Sequence, residues 1–269
     1  ETPAGRFAFQ HDYNKRIMHR KYPNGASSLF TFNESGRPVH IQHAGPDRTV
    51  FLDFTYIYNP RGLLETAVEQ TRNKVTRINY SYDKYGQLLK ANYSDGRVYE
   101  YIYDAFGNRV QKATTNNKIV AKYDNLDKLL VYGNNKVKHD AAGNVSKIGD
   151  TSYTHDSWDR LTNAGSSRYI YNALGWRVQE ESRDGKSKFT HLIDNIPYVL
   201  TEGGLNKREY LWADGRCLGQ VEKGSAIFFF EDHLGTIRAG MDTTGSIRGL
   251  SEYTPFGEPI QHIPNVRFG

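Results

Sequence analysis

The sequence has a single cysteine, Cys217, so no disulfide can form within the chain. Long apolar runs are missing too. The longest, Ala226-Ile227-Phe228-Phe229-Phe230, falls far short of the ~20 residues that cross a bilayer as a helix, and it reads as a buried strand. Charge of one sign is not in excess: 35 basic residues stand against 30 acidic ones, for a net charge of +5. The basic residues recur singly rather than in a block, which argues against a nucleic-acid partner. There is no Walker-type glycine loop, no His-Glu-x-x-His and no cysteine pair at metal-ligand spacing, so neither a cofactor nor a metal is expected. No Met and no signal-like segment open the sequence at Glu1, and no stop signal marks Val266 to Gly269; the expectation is a fragment.

What is abundant is aromatic residues and glycine: 19 Tyr, 13 Phe and 25 Gly in 269 residues. Rings pack well on pleated surfaces, while glycine supplies turns and weakens helices, so this composition leans towards β-structure. So many large rings also exclude a disordered chain.

One short pattern recurs along most of the sequence: aromatic, any residue, aromatic, Asp or Asn, two residues, Gly, then a polar residue near a Leu or Val. Its clearest copies run Tyr80 to Leu88, with Asp83 and Gly86, and Tyr101 to Val110, with Asp104 and Gly107. Tyr56 to Leu64 and Tyr169 to Val178, with Asn172 and Gly175, are further good copies, and Phe30 to Val39 uses Phe for both rings. Weaker copies begin at Phe9, Lys138 and Tyr153. The Asp or Asn positions fall at 12, 33, 59, 83, 104, 124, 140, 156 and 172, at intervals of 16 to 26 residues. That spacing holds two strands and two turns and leaves no room for an ordinary helix.

Each part of the pattern has a physical reason. Aromatics two apart project from one face of a strand. The Asp or Asn accepts a backbone N–H two residues on and starts a type I turn, and the Gly takes φ > 0 where the second strand begins. Asp127 and Asp159 stand at the Gly position and tolerate the left-handed conformation; Lys15, there in the first copy, fits it poorly. A hairpin of this kind cannot bury its ring face alone, so the prediction is an all-β chain of consecutive antiparallel hairpins forming a long, wrapping sheet with no flexible linker. Between Asp184 and Gly224 the pattern blurs into Asp-Gly and Gly-Gly turns between strand-like runs such as Arg208 to Trp212.

These residues resemble the YD repeat of the Rhs family, in which tyrosine–aspartate repeats build a hollow β-shell. The resemblance covers Phe9 to Pro259. A more specific match is Phe230 to Arg238, with Asp232, His233, Gly235 and Arg238, continuing through Asp242 and Gly245 to Tyr253, Pro255, Phe256 and Gly257. It is similar to the Rhs-associated core, with its Asp-His-Leu-Gly and Tyr-x-Pro-Phe-Gly elements. The resemblance implies a YD-repeat region over 1–225 and a core segment over 226–269. It further implies a shell, as in the C components of Tc toxins, that encloses and shields a C-terminal toxin and is secreted or delivered by a bacterial secretion system. The family's self-cleaving aspartyl site has no counterpart before Gly269, so the expectation is a wall without catalysis of its own. Its expected partners are the toxin cargo and the remaining repeats or a second shell subunit, and open sheet edges would favour self-association.

His11, His139 and His155 each precede an Asp, but adjacent strand residues face opposite ways, so the reading is His in place of Tyr on the packed face. Asp232-His233 reads as a turn-forming Asp with a packed His, or else as a site serving shell closure. Cys217 reads as a small buried hydrophobe. Trp158, Trp176 and Trp212 keep open an alternative function, a cell-surface YD-repeat module that binds glycans, although packing is the favoured reading of these rings. A free-standing hydrolase lacks a nameable nucleophile, base and oxyanion hole.

Overall fold

The computed structural model describes residues 2–182, 187–193, 196–202 and 206–261. The Asp184-Gly185 and Gly203-Gly204 turns expected from the sequence lie outside the described residues. Within them the chain is all-β: 27 strands and no helix, joined in sequence order by antiparallel pairings. Two compact units are present. The first comprises Glu1–Ser81, Ala91–Gly96 and Glu209–Gly269, and the second Tyr82–Lys90 and Arg97–Arg208.

The turns carry the architecture. In the copy at Asp83, the Gly86 N–H donates to the Asp83 carbonyl at 3.2 Å and the Asp83 N–H to the Gln87 carbonyl at 3.0 Å. Asp83 Oδ1 meanwhile accepts the N–H groups of Tyr85 and Gln87 at 2.8 and 2.9 Å. Gly86 has φ = 90°, so this is a type I turn closed by a left-handed residue. The same bonds recur at Asn33, Asn59, Asp104, Asp124, Asp140, Asp156 and Asn172. Asp127 and Asp159 take φ of 59° and 60°. The first copy differs: the left-handed residue is Arg16, at φ = 52°, and Lys15 instead donates its N–H to Asp12 Oδ1. One more residue enters that turn, which is why Lys15 does not have to adopt the strained conformation.

Two kinds of lateral tie join hairpins to their neighbours where the sequence supplies the residues. The second Tyr of a copy donates its hydroxyl to a carbonyl on the returning strand of the preceding hairpin. Tyr58 reaches Pro38 at 2.9 Å, Tyr103 reaches Leu88 at 3.0 Å and Tyr171 reaches Leu161 at 2.8 Å. The residue after the left-handed position reaches over the next turn: Asn108 Nδ2 donates to Asp127 Oδ1 at 2.6 Å, and Asn144 Nδ2 to Asp159 Oδ1 at 2.7 Å. Where the next turn has Gly, a longer chain lies there, as Arg37 does over Gly62 and Lys128 over Gly143.

In the first unit, consecutive strands from Ala8–Asp12 to Val75–Tyr82 make one antiparallel ladder. A second ladder of Arg216–Glu222, Ser225–Glu231, Ile237–Asp242 and Ile247–Leu250 packs against it. Phe228, Phe229 and Phe230 are all fully buried, so that strand is covered on both faces. Phe230 meets Tyr22, Phe51 and His43 with ring centroids 4.5, 5.0 and 5.3 Å apart, while Phe229 packs with Ile237 and Cys217 on the other side. In the second unit, the strands from Val98–Tyr103 to Ile196–Glu202 pair consecutively.

Two expectations about side chains do not hold. His11 is exposed, not packed, and stacks on Tyr13, because its strand lies at the start of the ladder. Trp158 is 74% exposed, with the Arg160 guanidinium 4.5 Å from its ring, because it sits at the tip of a turn and not on a strand face.

Candidate functional site

The family-specific residues gather where the two ladders of the first unit meet. Alternation in Ile17–Lys21 turns Met18 and Arg20 inward. Arg20 is fully buried and bridges to Glu231, Nη1 to Oε2 at 2.9 Å and Nη2 to Oε1 at 3.1 Å. The rings of Phe9 and Phe30 flank its guanidinium at 5.7 and 5.0 Å. Arg216 adds a second bond to Glu231 Oε1 at 2.9 Å. A β-bulge between Phe230 and Glu231 breaks the strict alternation there, as such bulges do when they re-aim a side chain.

Backbone groups of the same strand are also held. Tyr22 donates its hydroxyl to the Phe229 carbonyl at 3.0 Å. His43 lies between the Glu231 carbonyl, 2.9 Å from Nε2, and Ser28 Oγ, 2.7 Å from Nδ1. A carbonyl can only accept, so Nε2 carries the proton and Nδ1 accepts from Ser28. Burial lowers the His43 pKa to about 4, against weaker support from the Glu231 carbonyl, so the imidazole is neutral.

A second cluster is built on the core motif. Asp232 forms a turn like those of the repeats, its Oδ1 accepting Leu234 N–H and Thr236 N–H at 3.0 and 3.1 Å, with Gly235 left-handed. Arg238 spans to the first ladder: Nη1 and Nη2 reach the Glu69 oxygens at 3.0 and 2.7 Å, Nη1 reaches Asp232 Oδ2 at 3.3 Å, and Nε reaches the Ser251 carbonyl. Burial opposes its charge, but Glu69 and Asp232 outweigh that and raise its pKa. The His233 ring lies 4.2 Å from that of Tyr56, whose hydroxyl accepts the backbone N–H of His233 at 3.4 Å. Burial lowers the His233 pKa, and its Nδ1 is buried without a partner among the described residues. Thr254 plays the Asp role in the Tyr253, Pro255, Phe256, Gly257 element, where Gly257 N–H donates to its carbonyl at 2.9 Å and φ of Gly257 is 81°.

The turn residues Asp83, Gly86, Asp104, Gly107, Asn172 and Gly175 form a separate edge in the second unit. Sequence reasoning missed Arg20, His43, Glu69, Arg216 and Glu231. The available signal was alternation: an arginine in register with Met18 calls for a buried carboxylate. His40 and Asp53, 3.0 Å apart across strands, are a further pair that adjacency did not show.

An open cleft of about 690 Å³ is lined by Trp212, Arg216, Cys217, Glu231 and Tyr253. Burial pushes the Cys217 thiol up to about 11, which disfavours a thiolate nucleophile. Among the described residues no group of His, Cys, Asp and Glu could hold a metal ion.

Known proteins share this organisation. The family model described as Teneurin YD-shell matches residues 2–263. The tRNA nuclease WapA of Bacillus subtilis is 26% identical over 194 residues, 67% of this chain and 8% of the relative. Human Teneurin-4 is 26% identical over 203 residues, 68% of this chain and 7% of the relative. The chain therefore spans under a tenth of either. Among solved structures, the Photorhabdus luminescens Tc holotoxin pore superposes with a TM-score of 0.68 at 15% identity, over 90% of this chain and 15% of that one. The TcdB2–TccC3–Cdc42 crystal structure gives 0.67 at 16% identity, with the same coverage. Both likenesses are of fold.

Proposed function

The chain belongs to the teneurin YD-shell family, and from that premise we propose that it is a stretch of shell wall that shields a toxin cargo and catalyses nothing itself. The observation that carries this reading is how the core motif is used. Glu231 and Arg238 are buried and bonded across the two ladders, to Arg20 and Glu69, and buried Asp232 is bonded to Arg238, as a wall requires and a solvent-facing catalytic site does not. Fold likeness to Tc toxin structures and the relationship to the tRNA nuclease WapA support an enclosing role. The mechanism is steric: a wall whose hairpins are tied by turn, tyrosine and latch hydrogen bonds excludes proteases and confines what lies behind it. Secretion or delivery outside the producing cell follows from the same reading.

The test is to express the full-length protein that contains this chain, then assay any activity it encloses before and after partial denaturation. Activity that is latent, protease-resistant and released on opening supports a container. Full activity with the wall intact overturns it. The glycan-binding alternative has one supporting observation, exposed Trp158, but Arg160 covers one face of that ring. Specific binding on a glycan array that is lost in Trp158→Ala would favour it.

A further inference from the structure

Lysines that are scattered along the sequence of the second unit are brought together by strand register. The strands from Arg109–Thr114 to Leu161–Ala164 contain no Asp or Glu, and the acids of this stretch all lie between strands. In Lys118–Tyr123 the exposed residues Lys118, Val120 and Lys122 share one face, and buried Ala121 belongs to the other. Pairing carries that face across the sheet, because directly opposed residues of an antiparallel pair lie on the same side. Lys122 is opposed to Val131 and Val131 to Lys136; two residues on, Lys138 is opposed to Lys147 and Lys147 to Ser152. Lys118, Lys122, Lys136, Lys138 and Lys147 therefore share a patch about 14 Å wide over four strands and about 20 Å along them. Tyr123, Tyr132 and Tyr153 belong to the other face.

None of the five ammonium groups is hydrogen-bonded or ion-paired among the described residues. Elsewhere charge is answered by charge: Lys74 meets Asp95 at 2.8 Å, Lys90 meets Glu100 at 2.6 Å, and Arg168 is opposed to Glu181. Lys138 and Lys147 are instead like charges directly opposed, an arrangement that costs stability. A pairing rule broken locally, with no compensating partner in the fold, marks a functional surface.

We propose that this face holds an extended acidic segment of another polypeptide, its carboxylates on the lysines and its apolar side chains on Val120 and Val131. Side chains on one face of an extended chain recur every ~6.8 Å, the same interval that separates Lys136 from Lys138 along their strand. A single-stranded nucleic acid is held by rings on which its bases stack, and this face has none. A lipid surface is entered by side chains that reach past the charged heads, whereas the two valines are shorter than the lysines around them. A chain lying in the patch reaches both. The proposal goes beyond the enclosing role and does not depend on it.

The test is fluorescence anisotropy of the whole chain with a labelled peptide of alternating Glu and Val. Saturable binding is expected, falling as ionic strength rises, and weakened at least about tenfold by Lys122→Glu combined with Lys138→Glu. A peptide of alternating Gln and Val should not bind. Lys147→Glu should weaken binding and raise the thermal midpoint, because attraction to Lys138 replaces repulsion; these opposite movements separate loss of the site from loss of the fold. Lys21→Glu, an exposed change in the first unit, should leave binding unchanged. A parent that does not bind the acidic peptide overturns the proposal. So does binding that the lysine changes leave intact, or that Lys21→Glu weakens equally. Tighter binding of an oligothymidylate, or of phosphatidylserine vesicles, through the same lysines would overturn it in favour of a nucleic acid or a membrane.

Discussion

At the residue scale, His43 shows how burial sets a charge state. Its folded pKa of about 4 lies below the ordinary 6.5, so the unfolded chain binds the extra proton more readily. The stability His43 contributes is therefore complete above pH 6.5 and is lost as pH falls towards 4, by about 3 kcal/mol at ~1.4 kcal/mol per pKa unit. Urea unfolding at pH 7 and at pH 4.5 should show this fall, and His43→Leu should flatten it. An equal slope in parent and variant would place the acid sensitivity elsewhere. Gly107 makes the second residue-scale case: φ is 92°, and an added Cβ would stand 3.0 Å from Gln87 Nε2. Gly107→Val should lower stability by about 1–3 kcal/mol, visible as a lower thermal midpoint; unchanged melting would refute the turn assignment.

At the scale of the hairpin, the turn was legible because its parts are local. Asp or Asn and Gly three residues apart make bonds within a single turn, and the same geometry extends to Asp232, Asp242 and Thr254. The role of the second tyrosine was not legible, since its hydroxyl partner lies on the preceding hairpin. Tyr103→Phe should keep the ring packing and lose the bond to Leu88, costing about 1 kcal/mol. The latch explains why Asp is tolerated at 127 and 159: in each case an Asn from the neighbouring turn meets it. A double-mutant cycle over Asn108→Ala and Asp127→Gly should give a coupling of about 0.5–1.5 kcal/mol. Additive effects would mean that the close approach carries no energy. Asp124 adds an acid-side expectation: the N–H groups of Lys128 and Leu126 hold its carboxyl below the ordinary range. Its contribution is present at neutral pH and lost on acidification through that lowered pKa.

At the scale of the molecule, Arg20 and Glu231 join positions 211 residues apart. A buried pair of this kind is not in itself a large gain over apolar packing, but breaking it strands a charge. Glu231→Leu should cost about 3–5 kcal/mol, whereas Arg20→Met combined with Glu231→Leu should recover most of that loss in denaturant midpoints. If the double variant is as unstable as the single one, the pair does more than compensate its own burial. Such contacts fix which strand lies against which, and a sliding register would leave both Arg20 and Arg238 without their carboxylates.

The sequence by itself determined the all-β character, the ring pairs and the turns, because strand alternation and an Asp-to-Gly turn depend on residues a few positions apart. It also marked Asp232, His233 and Arg238 through their family pattern, though not what they touch. Only the tertiary structure decided that Arg238 meets Glu69, that His43 meets the Glu231 carbonyl, and that Trp158 stands in solvent. Those outcomes depend on which segments of a long chain pack together, and burial, which shifts a pKa or gives a charge its partner, exists only once they have.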